Sequence, residues 1–371
     1  MKLCRACKKE TLENFLSYKN MPESAQDFYK KNPLKKEVIK LDLYECLSCG
    51  VIQHLTNPVK YYKKVIRATA YSPEMKRFRI KQIRKWILEN DLYKKNILEI
   101  GSGRGEFLDV FKEIGCKNIF GYEFSSENIK FSKKNNHNVC KYFLDKKPFF
   151  EKIKYDGFAI FSFLEHWPDP SLILRNLRMI LNKDARGIVE VPNFDHIVNH
   201  GMYTEFIKDH ILYFTIDSFY NFLSSNGFIV KKIKKIWHNY ILSAEVVLRD
   251  KVNKKNFENN FLLINSQLKS FIKNSSFVVW GAGHQSLALL SMSDQASKLS
   301  YIIDSAPFKQ NKFIPSLQTK ILSPDILNTD NPKKIIVIAG SYSGEVYQTL
   351  RKKYKYNNQI AVLENNLLKI K

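Results

Sequence analysis

The stretch Glu99-Ile100-Gly101-Ser102-Gly103-Arg104-Gly105 sets glycines at alternate positions directly after an apolar run that begins at Ile97. Glycine lets the backbone turn tightly and pass close to a ligand. Glu123 lies 18 residues beyond the last glycine, at the end of a second apolar run, Ile119-Phe120-Gly121-Tyr122. An acid at the end of a second parallel strand can accept hydrogen bonds from both hydroxyls of a ribose. A second reactive set is sulfur: Cys4-x-x-Cys7 and Cys46-x-x-Cys49, separated by 38 residues. Two such pairs can surround one tetrahedral ion, and four thiolates leave no open coordination position, so the expected metal is a structural Zn2+. Gly50 follows the second pair, where a knuckle often needs a residue tolerant of positive φ. His54 is expected at the surface rather than among the ligands. Cys116 and Cys140 stand alone and read as small apolar residues.

A third set sits in Phe206-Ile207-Lys208-Asp209-His210-Ile211-Leu212-Tyr213-Phe214. Asp209 and His210 are adjacent, with Tyr203 and Tyr213 close by. The segment falls between a strand and a helix, on a loop at the ligand edge of an alternating sheet, where a general base is useful. Asp209, His210 and Tyr213 are the catalytic candidates. The fourth set is Phe163-Leu164-Glu165-His166-Trp167-Pro168-Asp169-Pro170, after a buried strand. Glu165 and His166 are expected to pack a ligand pocket at that edge rather than act directly.

These residues need a frame. Met75, Phe78, Ile80, Ile83, Trp86, Ile87 and Leu88 recur at helical spacing and put an apolar face on a helix before Ile97. Strands and helices then alternate, the sign of a doubly wound parallel sheet. Helices are expected at 105–114, 126–135, 172–181 and 218–225, with Thr215 or Asp217 capping the last. Strands are expected at 119–123, 155–163, 186–193, 228–230 and 241–248. Residues 250–258 are charged and Asn-rich and read as a linker. Phe277-Val278-Val279-Trp280-Gly281-Ala282-Gly283 then starts a second strand and glycine loop, followed by strands at 301–304 and 335–340.

The 371 residues carry a formal charge of +24 and are 44% hydrophobic. The lysines spread along the whole chain without a long block, so nucleic acid is not the expected partner; the positive field suits an anionic small substrate. No apolar run spans a membrane and no signal segment opens the chain, so a cytoplasmic protein without a membrane partner is expected.

With these residues in view, the glycine loop resembles motif I of the class I S-adenosylmethionine (SAM) methyltransferases, and the whole chain resembles the sugar-nucleotide C-methyltransferases. Besides the cysteine pairs, the glycine loop and Leu164-Glu165-His166, the resemblance rests on Trp280-Gly281-Ala282-Gly283. It also rests on Asp304-Ser305-Ala306-Pro307-Phe308-Lys309-Gln310-Asn311-Lys312-Phe313-Ile314-Pro315, which is similar to the family's D-x-x-P-x-K-Q-G-x-x-x-P segment. The resemblance implies an α/β protein with a zinc-binding domain at 1–66, a class I SAM methyltransferase sheet at 67–250 and a C-terminal Rossmann-like, substrate-binding domain at 251–371. It implies SAM held by Tyr71, Ser72, Glu99, Gly101, Gly103, Gly105, Glu123, Phe163, Glu165 and His166, and zinc held by Cys4, Cys7, Cys46 and Cys49. The implied acceptor is a nucleotide-linked sugar, with a 4-keto group, contacted by Tyr203, Gly281, Gly283, Asp304 and Lys309. The implied reaction is removal of a proton beside that keto group and methylation of the carbon, for polysaccharide or secondary-metabolite synthesis.

Two departures stand out. The family loop reads roughly Y-H-E-H where this chain has Ile207, Lys208, Asp209 and His210, and the third glycine of the G-A-G-x-x-G turn is Ser286. The changed loop leaves O-methylation of a sugar as an alternative. A nucleic-acid methyltransferase is suggested by the charge but lacks a D/N-P-P-Y/F loop, and a binding module with a relic SAM fold is opposed by the intact glycines and Glu123.

Overall fold

The computed structural model describes residues 2–26, 28, 30–31, 36–64, 72–146 and 153–371. It divides into two compact units, Met1–Asp250 and Lys251–Lys371. Among the described residues no helix is long and apolar enough to cross a membrane.

The first unit opens with three strands, β1 (Leu12–Pro22), β2 (Val38–Cys46) and β3 (Ile52–His54), and then a helix, α1 (Pro73–Glu89). Next come β4 (Asn96–Ile100), α2 (Glu106–Ile114), β5 (Asn118–Glu123), α3 (Ser126–Lys134), β6 (Asn138–Lys141), β7 (Tyr155–Phe161), α4 (Pro170–Ile180), β8 (Leu181–Pro192) and α5 (Phe194–Asn199). The unit closes with β9 (Leu212–Tyr213), α6 (Ile216–Ser225), β10 (Phe228–Ile236) and β11 (Ile241–Leu248). Seven strands form one sheet in the order β10-β11-β8-β7-β4-β5-β6. Its β8-β7-β4-β5-β6 portion is parallel, while β11 runs antiparallel to both neighbours. The order turns outward in both directions from β4, so the crevice past the carboxyl ends of β4 and β7 is the place for a ligand.

Alternation along the central strands fills both faces. Leu98, Phe158 and Ile160 join one apolar cluster, while Ile97, Ala159 and Phe161 join the other with Trp86, Phe107 and Phe111. Successive strand side chains point to opposite faces, which is why these strands are apolar throughout. Each large buried side chain contributes about 1.5–3 kcal/mol. The first cluster also takes in Cys4, Cys46, Val51, Ile211 and Leu212, so the cysteine-bearing segment and the parallel sheet share one core.

Helix boundaries follow local chemistry. Ser72 accepts from Met75 N and caps α1, with Pro73 in its first turn. Thr215 caps α6 through a capping box with Ser218, rather than Asp217. The expected apolar face of α1 is interrupted: Arg79 is 3% exposed and pairs with fully buried Glu190 at 2.5 Å, while Leu88 is 60% exposed. Gln82 and Ser243 also donate to Glu190 Oε1, so the buried carboxylate keeps its partners.

β1, β2, β3 and β9 form a second, antiparallel sheet. The pairing of β3 with β9, Ile52 opposite Tyr213 and Gln53 opposite Leu212, joins the cysteine-bearing sheet to the segment just after His210.

The second unit holds α7 (Lys255–Ile272), β12 (Phe277–Trp280), α8 (His284–Ser291), β13 (Leu299–Ile303), β14 (Phe313–Ile314), β15 (Thr319–Leu322), β16 (Lys334–Val337), α9 (Ser343–Lys352), β17 (Gln359–Glu364) and β18 (Leu367–Ile370). Its sheet order is β14-β15-β13-β12-β16-β17-β18, with a parallel centre. The helix α7 starts inside the segment read as linker.

Candidate active site

The four cysteines converge. Cys4 Sγ lies 3.7 Å from Cys49 Sγ, and Cys7 Sγ lies 3.6 Å from Cys46 Sγ. All four sulfurs lie within 4.8 Å of one another, and none is in a disulfide. Tetrahedral ligands ~2.3 Å from zinc stand roughly 3.8 Å apart, so the donor set and its spacing fit that ion. Both knuckles turn through a left-handed residue, Lys8 at φ +64° and Gly50 at φ +72°. Lys8 N donates to Cys4 O and Gly50 N to Cys46 O, which closes each knuckle. The hydrogen bond between Cys49 and Cys4 holds the Cys4 thiol well below the usual range and pushes Cys49 up.

The glycine loop leaves β4 at the carboxyl edge. Gly101 has φ +78°, and a Cβ there would stand 2.4 Å from the Phe163 ring. Only glycine therefore lets the loop pass under Phe163. Glu123 ends the neighbouring β5, is 1% exposed, and accepts from Gly103 N at 2.9 Å, Phe124 N at 2.9 Å and Ser125 N at 2.7 Å. Burial pushes its carboxyl up, against the pull of those amides. Glu99 is buried at the end of β4. An acid tied to a glycine loop on adjoining parallel strands is the arrangement that suits the ribose of SAM. Asp145 is ion-paired with Lys63 at 2.5 Å. Ser72 acts as a helix cap, and Tyr71 lies outside the described residues.

Beyond β7, Leu164–His166 form a short 3-10 turn. Glu165 is 1% exposed, its Oε2 has no hydrogen-bond partner among the described residues, and burial pushes its carboxyl up to about 8. His166 Nδ1 pairs with Asp209 O at 2.8 Å and so acts as the donor. One ligand-type atom from each of Glu165, His166 and His210 lies within 4.8 Å of the others. His166 and His210 meet edge to face, with centroids 4.9 Å apart. Burial, reinforced by His166 and His54, holds His210 well below the usual histidine range. Near neutral pH the cluster therefore presents two uncharged imidazoles beside a protonated acid, a set able to accept and pass protons.

The other loop residues take different places. The Asp209 carboxylate accepts from Tyr61 Oη at 2.5 Å and Ala25 N at 3.1 Å. Tyr61 also accepts from Gln26 N, and burial beside Asp209 pushes its hydroxyl up to about 12. Tyr213 is 3% exposed, and its hydroxyl bonds both N and O of Ile207, six residues back. Tyr203 is 67% exposed. His54 corrects the surface expectation: it is fully buried, with Nδ1 at 2.7 Å from Thr56 Oγ1 and Nε2 at 3.0 Å from Lys208 O. Tyr61, His54 and Ala25 are the site residues that sequence reasoning missed. All three brace the 208–210 loop from the N-terminal segment, a long-range contact that leaves no local pattern.

In the second unit, Gly281 and Gly283 follow β12, and Asp304 follows β13. Asp304 accepts from Ala282 N at 2.8 Å, Ala306 N at 2.9 Å and Lys309 Nζ at 2.9 Å. Ser286 fills the glycine turn from inside: its hydroxyl donates to Gly281 O and Gly283 O and accepts from Gly283 N.

Residues 75–232 match the family model of a methyltransferase domain. The chain is a SAM-dependent methyltransferase. Residues 249–363 of this methyltransferase match a second family model, described as a C-methyltransferase C-terminal domain. No curated protein matches the chain. Among solved structures, it is similar to the magnesium protoporphyrin IX methyltransferase of Synechocystis PCC 6803 with bound SAH, at 13% identity and a TM-score of 0.39, over 50% of this chain and 90% of that one. It is also similar to an S-adenosylmethionine-dependent methyltransferase from Clostridium acetobutylicum ATCC 824, at 11% identity and 0.40, over 51% and 96%. A third is the PH0226 protein of Pyrococcus horikoshii OT3, at 13% identity and 0.42, over 51% and 99%. These likenesses are distant.

Proposed function

We propose that this methyltransferase methylates a ring carbon of a nucleotide-linked 4-keto sugar, with His210 as the general base. The observation that carries carbon over oxygen is the match of residues 249–363 to the C-methyltransferase C-terminal domain. The Asp304–Pro315 segment supports the sugar-nucleotide acceptor.

Bound SAM supplies a methyl group already activated by its sulfonium. The glycine loop would hold the methionine part and Glu123 the ribose. A carbon beside a ketone is a weak acid, so the protein must remove a proton and stabilise the enolate. His210 suits the first task because its burial keeps the imidazole uncharged. Protonated Glu165 suits the second, since a hydrogen-bond donor aimed at a developing oxyanion is strongest in a dry site. Asp209 and Tyr213 support the loop through Tyr61, Ala25 and Ile207, and the cysteine cluster fixes the sheet that braces it. Incubation with carbon-13-methyl SAM and a panel of 4-keto and reduced sugar nucleotides tests the reading; a methyl resonance coupled to a ring carbon is expected, and a methoxy resonance overturns it.

A further inference from the structure

One cavity takes no part in the site above. The turn between β10 and β11 places Trp237, His238 and Asn239 consecutively in the left-handed region, at φ +46°, +57° and +63°. Such a run of non-glycine residues persists only where surrounding contacts over-determine it, and it concentrates at functional sites. Here Asn193 Nδ2 donates to Asn239 O at 2.6 Å, Asn193 N donates to Tyr240 O at 2.8 Å, and the Trp237 ring packs on Phe78 with centroids 5.4 Å apart. Because Ile241 pairs with Pro192 at the end of β8, the turn stands at the same carboxyl edge as the glycine loop.

Trp237 and His238 face α1 across a cleft of about 450 Å³, whose other walls are Glu74, Arg77, Phe78 and Lys81. Arg77 and Lys81 are one helical turn apart on one face, both are exposed, and among the described residues neither has a carboxylate partner. The volume suits one small ligand rather than a polymer. Two neighbouring unpaired cations match a diphosphate, a half-buried indole offers a stacking face for a base, and Glu74 can accept from a ribose hydroxyl.

We infer that this cleft receives the nucleoside diphosphate half of the acceptor, with the base on Trp237 and the phosphates between Arg77 and Lys81. The inference rests on the reading of the acceptor as a nucleotide-linked sugar. UDP and dTDP, titrated calorimetrically into the intact protein, test it, with inorganic pyrophosphate and a short single-stranded oligonucleotide as comparisons. Dissociation constants for the nucleoside diphosphates should rise at least about tenfold in Arg77→Gln/Lys81→Gln and in Trp237→Ala, and recover in Trp237→Phe, with SAH affinity unchanged as the control for folding. Unchanged nucleotide affinity in these variants overturns the inference. So does pyrophosphate binding as tightly as UDP, which marks a plain anion patch, or tighter binding of the oligonucleotide, which marks a polyanion surface. If the variants lose nucleotide affinity yet no sugar nucleotide is methylated, the cleft stands and the acceptor reading falls. If sugar nucleotides are methylated with the same KM in wild type and variants, the acceptor reading stands and the cleft falls.

Discussion

Tyr61 donates its hydroxyl proton to Asp209 Oδ1 over 2.5 Å, joining residues 148 positions apart. With Ala25 N on the other oxygen, the carboxylate is engaged by the N-terminal segment, and the adjacent His210 lies beside His166 instead. Hydrogen bonds to charged groups are worth about 1.5–3 kcal/mol. Tyr61→Phe should therefore lower kcat by roughly 10- to 100-fold through a misplaced His210, with KM nearly unchanged. Steady-state kinetics beside SAH calorimetry checks this; equal losses in kcat and in SAH affinity would point to general unfolding instead.

His210→Asn should cost about 10²- to 10⁴-fold in kcat, the usual contribution of a general base, and leave SAH binding intact. The pH profile carries more information. Burial beside His166 and His54 disfavours the imidazolium, so the base form survives below the usual histidine range. The acid limb of kcat/KM should therefore lie below the usual histidine range. A limb centred at an ordinary histidine value would remove His210 from this role.

Glu165 makes a stability prediction with a definite sign. Its folded carboxyl is raised to about 8 by burial, against an ordinary 4.5. The folded state then holds a proton that the unfolded state has lost, so stability present below pH ~4.5 declines as pH rises toward 8. Glu165→Gln keeps a neutral group of the same shape and removes that slope. Its stability relative to wild type should increase by roughly 2–4 kcal/mol between pH 5 and 8, measured by urea unfolding. A constant difference across that range contradicts a buried, protonated Glu165.

Gln53 Nε2 donates to Cys4 Sγ at 3.0 Å, and the Gln53 backbone pairs with Leu212, two residues after His210. Removal of a metal bound there should thus reach the 208–210 loop before the glycine loop. Metal analysis should find one zinc per chain. Cys46→Ser should lower zinc content, melting temperature and kcat together, and weaken SAH binding less than it slows turnover. Full zinc in Cys46→Ser would refute the four-thiolate site.

Sequence reading reached the parts of this molecule that are local. A glycine loop, an acid at the next strand end, two short cysteine spacings and apolar runs for parallel strands all depend on neighbours within a few residues. Helix α6 and strand β11 were legible for the same reason. What escaped depends on distance in sequence. Arg79 has no place in the apolar pattern of its helix, and its partner, Glu190, lies 111 positions away. His54 looked exposed because the loop that buries it comes 154 residues later. The long β1 and the two-residue β9 have no pattern that announces them, since their pairing is fixed by the shared core. Asp209 was named for its type, and the contacts with Tyr61 and Ala25 separate its position from that of His210.

Base-assisted methylation of carbon leaves a spectroscopic signature. The most direct test is the NMR spectrum of products formed from carbon-13-methyl SAM and a 4-keto sugar nucleotide, run in parallel with His210→Asn. The account predicts a methyl resonance coupled to a ring carbon in wild type and none in the variant. A methoxy resonance, or a carbon-methyl product of undiminished rate from His210→Asn, would contradict it.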